Sequence, residues 1–158
     1  MDQSLKTLIL DILKGHRLLT LATLRPDGWP QATTVGYGSV GMIPYFLCAA
    51  DSQKAKNIAA CNKVSLTIDH DTDDMLHLTG LSMAATAEFV TDEAKIPAIF
   101  SLLMAKYPAF KDALPIPDPK TVKYIRLIPK VISVLDYSKG FGHTDLVEVT
   151  VADLKAAA

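Results

Sequence analysis

The fold is decided by residues 17–50, which read RLLTLATLRPDGWPQATTVGYGSVGMIPYFLCAA. Three segments rich in leucine, β-branched and aromatic residues are separated by RPDG at 25–28 and by GSVG at 38–41. Both separators are short and contain glycine, which adopts the positive φ angle that tight turns require. The stretch therefore predicts three antiparallel strands joined by two tight turns in a meander.

The same stretch contains GYGSVG at 36–41, which has the glycine spacing of the dinucleotide-binding fingerprint. That fingerprint requires a helix immediately after the glycines. The residues that follow are MIPYFLCAA, which include an early proline and two aromatic side chains but no helical apolar stripe. We therefore interpret these glycines as turn residues of a hairpin and not as a Rossmann-type nucleotide site.

The rest of the chain adds further strands and a few helices. Apolar residues at helical spacing predict helices within 5–13, 51–61 and 91–104. Strand patterns occur at 63–69, 76–90, 122–129 and 131–136, with Gly80 as a candidate kink or bulge, and a short element closes the chain at 146–158. Six or seven strands with a few flanking helices predict a mainly antiparallel β-barrel in a single domain, 1–158.

The composition excludes several classes of function. The chain has 158 residues, of which 49% are hydrophobic and 21% are charged, with a net charge of −1. No long basic run is present, which argues against nucleic-acid binding, although a small anionic ligand needs only local positive charge. Cys48 and Cys61 do not form a CxxC pair, and no apolar run is long enough for a membrane span. We expect a cytoplasmic protein with reduced thiols and no membrane association.

The order of segments resembles a known family. LATLRPDGWPQATTV, a hairpin, YFLCAADSQKAKNI and KVSLTID are followed by HLTGLSMAATAEFVTDEA and YIRLIPKVISVLDYSKGFG. This succession resembles the pyridoxamine 5′-phosphate oxidase-like family of FMN-binding split barrels. The resemblance implies a split β-barrel, a homodimer with flavin sites between the subunits, and a flavin-dependent oxidoreductase acting on a small-molecule substrate. It implies FMN as the cofactor, with the deazaflavin F420 or haem as alternatives, and a non-catalytic binding module as a further alternative.

The resemblance also implies which residues bind the cofactor. Ser52 and Lys54 match the family's phosphate-binding helix start, where free N–H groups and the helix dipole favour an anion in any protein. The other implied cofactor residues lie on strands: Thr33, Thr34, Val35, Leu47, Cys48, Thr79, Gly80 and Leu81. No catalytic side chain is predicted, because a bound flavin carries the redox chemistry itself. The structural alternative for these positions is a capped surface helix and ordinary strand residues.

The sequence departs from the family at three places. Thr33 and Gln53 stand where the oxidase has arginines that bind the phosphate. The oxidase also has a C-terminal Arg-x-His element for its pyridoxal substrate, whereas this chain has only KGFGH at 139–143. We therefore expect negligible oxidation of vitamin B6 phosphates, and we expect Lys54 to be the main side-chain charge on the flavin phosphate. Which of Lys139, Phe141 and His143 faces the cofactor is left open.

Some other residues invite functional interpretations that the sequence does not favour. The acidic segment HDTDD at 70–74 lacks the glycine and glutamate spacing of a calcium loop, so no metal site is predicted there. Trp29 and Tyr37 are suited either to stacking on a cofactor ring or to a place in the core or an interface. His77 reads as a structural strand residue, and His143 as a loop histidine with a cofactor edge or haem iron as the alternative.

Overall fold

The computed structural model describes residues 1–110 and 114–155. The strands are β1 (Leu18–Leu24), β2 (Pro30–Gly36), β3 (Gly38–Val40), β4 (Ile43–Ala49), β5 (Lys63–Ile68), β6 (Thr79–Phe89), β7 (Val122–Asp136) and β8 (Thr144–Glu148). The helices are α1 (Gln3–Gly15), α2 (Gln53–Ala60), α3 (Ile96–Met104) and α4 (Val151–Lys155). Short 3-10 turns occur at Met75–His77, Glu93–Lys95, Pro108–Phe110 and Tyr137–Lys139.

All eight strands belong to one curled, fully antiparallel sheet. Seven of them follow the order β2-β1-β5-β6-β7-β4-β3, and β8 pairs with β7 beside this path. This arrangement confirms the predicted fold class, a mainly antiparallel split barrel with a few flanking helices. The predicted helices near the start, after β4 and after β6 are also present.

The predicted three-strand meander is wrong in its second half. β1 and β2 form the expected hairpin, with Gly28 at φ 87° in its turn. β4, however, pairs with β7 and β3 and lies at the other end of the sheet from β2. The chain passes between the two sheet edges at Tyr37, which is fully buried and donates a hydrogen bond from its hydroxyl to the Leu13 carbonyl (2.8 Å). Turn residues specify a local bend, but strand pairing depends on partners far away in sequence.

The second turn of that stretch is also displaced. Residues 38–41 were predicted to be the turn, but Gly38–Val40 form β3, and the tight turn consists of Gly41 and Met42. Gly41 has φ 55°, the left-handed conformation that glycine adopts without strain. The hairpin interpretation of the glycine-rich segment is therefore correct, with the turn nearer the fourth strand than expected.

The two strands predicted at 122–129 and 131–136 form the single long strand β7. β6 pairs along one edge of β7, with a register shift at Ala84/Ala85 that leaves Lys130 without a partner on β6. Pro129 beside it has no N–H to donate, which suits a bulge. The irregularity therefore lies at this point and not at Gly80, whose role is close packing, because a Cβ there would lie 3.1 Å from the Ile68 carbonyl oxygen.

Two apolar clusters lie on opposite faces of β4. The main core fills the inside of the curled sheet, and it includes Ile9 and Leu13 from α1 and Phe46 and Cys48 from β4. The second cluster lies outside the sheet, where α3 packs over Tyr124 of β7. This division decides which side chains of β4 face the barrel interior and which face α3.

Candidate functional site

The beginning of α2 presents a small polar site. Ser52 is the N-cap, and its hydroxyl accepts a hydrogen bond from the Ala55 N–H (3.3 Å). The other N–H groups of the first turn have no partner within a helix, so they favour an anion. Lys54 is half-buried there and forms no ion pair with any carboxylate of the described residues. The site therefore presents one uncompensated positive charge beside free backbone donors.

A buried polar network holds α2 against the sheet. The Asn57 side chain is fully buried, and its amide nitrogen donates to the Thr23 hydroxyl (2.9 Å) and to the Gln31 side-chain oxygen (3.2 Å). The Gln53 amide nitrogen donates in turn to the Asn57 oxygen (2.8 Å). Because each partner would be left unpaired without Asn57, this network fixes the position of α2 relative to β1 and β2.

Sequence reasoning missed this network, although one signal was available. Asn57 lies between Ala55 and Ile58, which are buried on the inner face of α2. A polar residue at such a position needs hydrogen-bond partners from neighbouring elements. Gln53 was noted only as the replacement for an arginine, whereas its amide is part of the network.

Thr33 lies on the same face of β2 as Gln31, two residues further along the strand. Its hydroxyl oxygen is buried and has no hydrogen-bond partner among the described residues. Buried hydroxyl groups are almost always hydrogen-bonded, and an exception calls for a bound water or ligand. The face of β2 that contacts α2 through Gln31 therefore also carries the unpaired Thr33 hydroxyl.

The remaining predicted residues of β2 and β4 point in different directions. The side chains of Val35 and Cys48 are buried in the main core. Thr34 is exposed on the opposite face of β2, and Leu47 packs against the cluster under α3. A ligand beside α2 therefore meets these strands through their backbone groups and not through these four side chains.

The structure does not bring Thr79, Gly80 and Leu81 to the α2 site. These residues begin β6, which is separated from β2 by β1 and β5 in the sheet. Leu81 and Gly80 are buried, and Thr79 pairs with Asp136 of β7. They lie beside the loop that follows β7.

That loop, residues 137–143, contains charges that neutralise one another. The Lys139 ammonium lies 2.8 Å from the Asp145 carboxylate and 3.7 Å from Asp136, and His143 lies 3.1 Å from Asp145. The hydrogen bond to Asp145 raises the pKa of Lys139, and the same contact lowers the pKa of Asp145. Phe141 is 80% exposed, and its ring centroid is 5.2 Å from that of Tyr137. The loop thus exposes an aromatic ring but keeps its cation paired.

Trp29 and Tyr37 have opposite environments. Tyr37 belongs to the core, and the Lys106 ammonium lies 4.0 Å from the centre of its ring. Burial raises the pKa of Tyr37 and lowers the pKa of Lys106 to about 8. Trp29 lies in the turn between β1 and β2, directly before β2, and is 73% exposed. It is therefore available to a ligand or a partner.

The outer face of the sheet carries an unusual row of hydroxyl groups, which we call the hydroxyl row. Register pairs connect neighbouring strands across this face through Thr34, Thr20, Thr67, Ser82 and Ser133. The adjacent row across the same strands is Ala32, Ala22, Ser65, Ala84 and Val131. From β2 to β7 neither row has a charge, and the nearest charges on this face are Glu148, which continues the second row on β8, and Lys63 on β5. A sheet face in contact with water normally carries more charged side chains than this.

A separate cavity of about 370 Å³ lies under α3, and the sequence did not predict it. Its walls include Tyr45, Phe89, Leu102 and Arg126. Arg126 is bound by the Glu88 carboxylate at 2.7 and 2.9 Å, so its charge is compensated within the chain. We find no ligand chemistry that these walls specify.

The described residues contain neither a cluster of metal-ligating side chains nor a membrane-spanning helix. No three histidine, cysteine, aspartate or glutamate side chains in 1–110 and 114–155 converge on a common metal position. Within the same residues, every helix is too short or too polar to cross a membrane.

Comparison with known proteins places this geometry in context. Residues 5–155 match the sequence profile of the family described as pyridoxamine 5′-phosphate oxidase. No curated protein matches the sequence closely enough to count as a relative. Many solved structures, in contrast, share its fold.

Three of these structures are informative. A haem-binding protein from Mycobacterium smegmatis is 22% identical with a TM-score of 0.76 over 94% of this chain and 59% of its own. The chain thus spans about three fifths of the length of that protein. A putative pyridoxamine 5′-phosphate oxidase from Listeria innocua is 21% identical with a TM-score of 0.70 over 83% of this chain and 98% of its own. An F420 reductase is 26% identical with a TM-score of 0.59 over 74% of this chain and 89% of its own.

Proposed function

The chain belongs to the pyridoxamine 5′-phosphate oxidase family, and from this premise we propose that it is an FMN-binding oxidoreductase. In this proposal the cofactor phosphate binds at the beginning of α2, and the chain works as a homodimer on a small-molecule substrate. Family membership by itself is compatible with flavin, F420 or haem. The argument for FMN therefore rests on the residues around α2.

The observation that carries the proposal is the combination of Lys54 with the Thr33 hydroxyl. Lys54 supplies a positive charge that no described carboxylate neutralises. Thr33 supplies a buried hydroxyl without a partner, and a phosphate oxygen is an acceptor suited to both groups. The missing arginines at positions 33 and 53 leave fewer charges than the family normally uses, so the phosphate site fits FMN with reduced affinity.

Each residue of the site has a separate task. When bound, FMN supplies hydride or single-electron transfer. Lys54 balances the phosphate charge, and the N–H groups beside Ser52 donate to phosphate oxygens. Asn57 holds α2 in register with β2 before the ligand arrives, so little ordering is needed upon binding. No side chain of the chain is required to take part in covalent chemistry.

We propose the hydroxyl row as the face that meets a second copy of the chain. Between β2 and β7 the row and its alanine-rich neighbour form a surface of small, uncharged side chains with Glu148 at its β8 margin, and two leucines beside it, Leu18 and Leu146, are 53% and 74% exposed. Such a surface packs closely and loses little on leaving water, because no charge has to be desolvated. The exposed rings of Trp29 and Phe141 are then available to cover the cofactor of either subunit.

The dimer is tested by light scattering of the full chain with FMN present. We expect a mass near twice the 17.1 kDa of one chain. Thr67→Arg places a charge in the middle of the hydroxyl row and should give monomers, whereas Thr7→Arg on the exposed side of α1 should leave the dimer intact. A wild-type monomer at micromolar concentration contradicts an intersubunit site.

The proposal excludes the vitamin B6 phosphates as substrates. The oxidase's Arg-x-His element is absent, and Lys139, which lies in the corresponding loop, is held by two carboxylates. We therefore expect no oxidation of pyridoxine or pyridoxamine phosphate at ordinary enzyme rates, about 1 s⁻¹ or above. Turnover at such rates would require a different anion site for the substrate.

F420-dependent reduction is the second candidate. Its support is the F420 reductase structure, which is 26% identical to this chain over 74% of its length. Haem binding is a third possibility that the fold accommodates, since a haem-binding protein has the same fold.

The deciding experiment is a titration of the metal-free, cofactor-free chain with FMN, riboflavin, F420 and haemin, followed by absorption and fluorescence. FMN should bind more tightly than riboflavin, because only FMN carries the phosphate. Tighter binding of F420 or haemin than of FMN would replace the proposal with the corresponding alternative. Equal affinity for FMN and riboflavin would contradict a phosphate site at the beginning of α2.

A further inference from the structure

Two histidines from distant parts of the sequence meet at the end of α1. The Nε2 atom of His16 lies 3.2 Å from the Nδ1 atom of His70, and the ring centroids are 5.4 Å apart. His16 directly follows α1, and His70 lies in the loop after β5. Neither histidine belongs to the α2 site, and the pair has no part in the function proposed above.

The His16 ring is oriented for ligation. Its Nδ1–H donates to the Ile12 carbonyl (2.8 Å), which leaves the Nε2 lone pair directed at His70 when the ring is neutral. A backbone carbonyl on the second ring nitrogen is the usual support of a metal-binding histidine. The Lys106 ammonium also donates to the His16 carbonyl and holds its backbone in place. One ligand is thus fixed, while the exposed His70 ring is free to adjust.

The separation of the two nitrogen atoms fits a metal ion. Two nitrogens bound to one tetrahedral ion at about 2.0 Å each lie about 3.3 Å apart. The observed 3.2 Å is close to that edge, so an ion is bound when each ring turns its lone pair from the other nitrogen to the ion, with the two nitrogens keeping their separation. In a direct hydrogen bond between the two rings, one nitrogen must carry a hydrogen atom. In a metal site neither nitrogen carries one, because both bind the ion through their lone pairs.

The surrounding charge favours a cation. The loop that carries His70 has carboxylates at Asp69, Asp71, Asp73 and Asp74. Asp74 pairs with His77 at 2.7 Å, and the other three form no ion pair with the described residues. The combined negative charge of these carboxylates attracts a divalent ion from solution. None of them joins the two histidines in a group of three potential ligands within the described residues.

We propose that His16 and His70 form a two-histidine site for a transition-metal ion such as Zn²⁺, Ni²⁺ or Cu²⁺. Imidazole nitrogens select these ions over Mg²⁺ and Ca²⁺, which require oxygen ligands. Water completes the coordination, so the site is open and binds more weakly than a closed structural site.

The test is a calorimetric titration of the full, untagged chain with Ni²⁺ and with Zn²⁺. One ion should bind per chain, and His70→Ala should lower its affinity at least about tenfold. The control is His77→Ala, which removes another exposed histidine of the same segment and should change the affinity less than twofold. Equal affinity of the wild-type chain and His70→Ala overturns the proposal.

A further measurement shows whether His70 binds the ion directly or only supports the fold. In the electron paramagnetic resonance spectrum of the Cu²⁺-loaded chain, two imidazole nitrogens should be resolved, and one should be lost in His70→Ala. A copper spectrum without nitrogen coupling contradicts the site. FMN titrations of His70→Ala should match the wild type, since failure of the metal site leaves the flavin proposal untouched.

Discussion

The beginning of α2 and the loop after β7 both contain a serine near a lysine, yet their lysines have opposite surroundings. Lys54 has no carboxylate partner among the described residues, whereas Lys139 lies 2.8 Å from Asp145 and 3.7 Å from Asp136. A cation that is already paired adds little to an anionic ligand, because binding would require it to leave its partners. The neighbourhood of a lysine, and not its presence in a motif, therefore decides whether it is available for phosphate.

The largest effect is expected when the support of the α2 site is removed. Asn57→Ala leaves Thr23, Gln31 and Gln53 without their buried partner and should lower the free energy of unfolding by about 3 kcal/mol. FMN affinity should fall with it, because α2 loses its register with β2. Urea denaturation and flavin titration measure the two quantities. Asn62→Ala, at an exposed asparagine after the same helix, is the control and should change both only slightly.

A second change tests the comparison of the two lysines directly. Lys54→Ala should weaken FMN binding about ten- to a hundredfold, since a charge-assisted hydrogen bond contributes about 1.5–3 kcal/mol. Riboflavin, which lacks the phosphate, should lose little affinity. Lys139→Ala and Lys56→Ala, an exposed lysine on α2, should leave FMN affinity within about twofold. A larger loss from Lys139→Ala than from Lys54→Ala would reverse the assignment of the anion site.

A smaller effect is expected from the unpaired hydroxyl. Thr33→Val removes one neutral hydrogen bond to the ligand and should weaken FMN binding about three- to tenfold. Without the ligand the variant should be as stable as the wild type or slightly more stable, because the hydroxyl it removes has no partner. Thr7→Val, on the exposed side of α1 and away from both the α2 site and the hydroxyl row, serves as the control. Clear destabilisation of the ligand-free Thr33→Val chain would mean that the hydroxyl is hydrogen-bonded after all.

The smallest effect concerns the paired lysine. The contact with Lys139 lowers the pKa of Asp145 in the folded chain, so its stabilising effect is present at neutral pH and is lost as the pH falls below the ordinary aspartate range. Lys139→Met should therefore lower the melting temperature slightly at pH 6, and the difference from the wild type should shrink between pH 5 and pH 3. Lys54→Met should show no such convergence. A Lys139→Met difference that is constant with pH would exclude the ion pair as its cause.

The sequence predicted those parts of the site that depend on neighbouring residues. Ser52 caps α2 by accepting a hydrogen bond from the Ala55 N–H, three residues along the chain. The sequence did not predict the hydrogen bonds of Asn57, whose partners Thr23 and Gln31 lie 34 and 26 residues away. It also gave no indication that Lys139 is paired, since the contact with Asp145 depends on how the loop returns to β8.

The fold divides in the same way. Gly28 and Gly41 mark the tight turns because positive φ is a property of single residues, and the antiparallel class follows from short connections between strands. The sequence also made β2 and β4 appear to be neighbours, because they are separated by only a few residues. In the folded chain β2 is the edge strand at one end of the sheet, and β4 is the second strand from the other end; the segment between them contains the buried Tyr37.

The turn at Gly28, the beginning of α2, the antiparallel class and the family can be predicted from the sequence, because each of these depends on signals within a few residues or on their order along the chain. Tertiary structure alone decided the strand order, the Asn57 network, the hydroxyl row and the pairing of each lysine. These features join residues from distant elements, and their energies depend on which groups are buried together and which are left unpaired. The register that aligns Thr34, Thr20, Thr67, Ser82 and Ser133 is such a feature, since no short segment contains more than one or two of these residues.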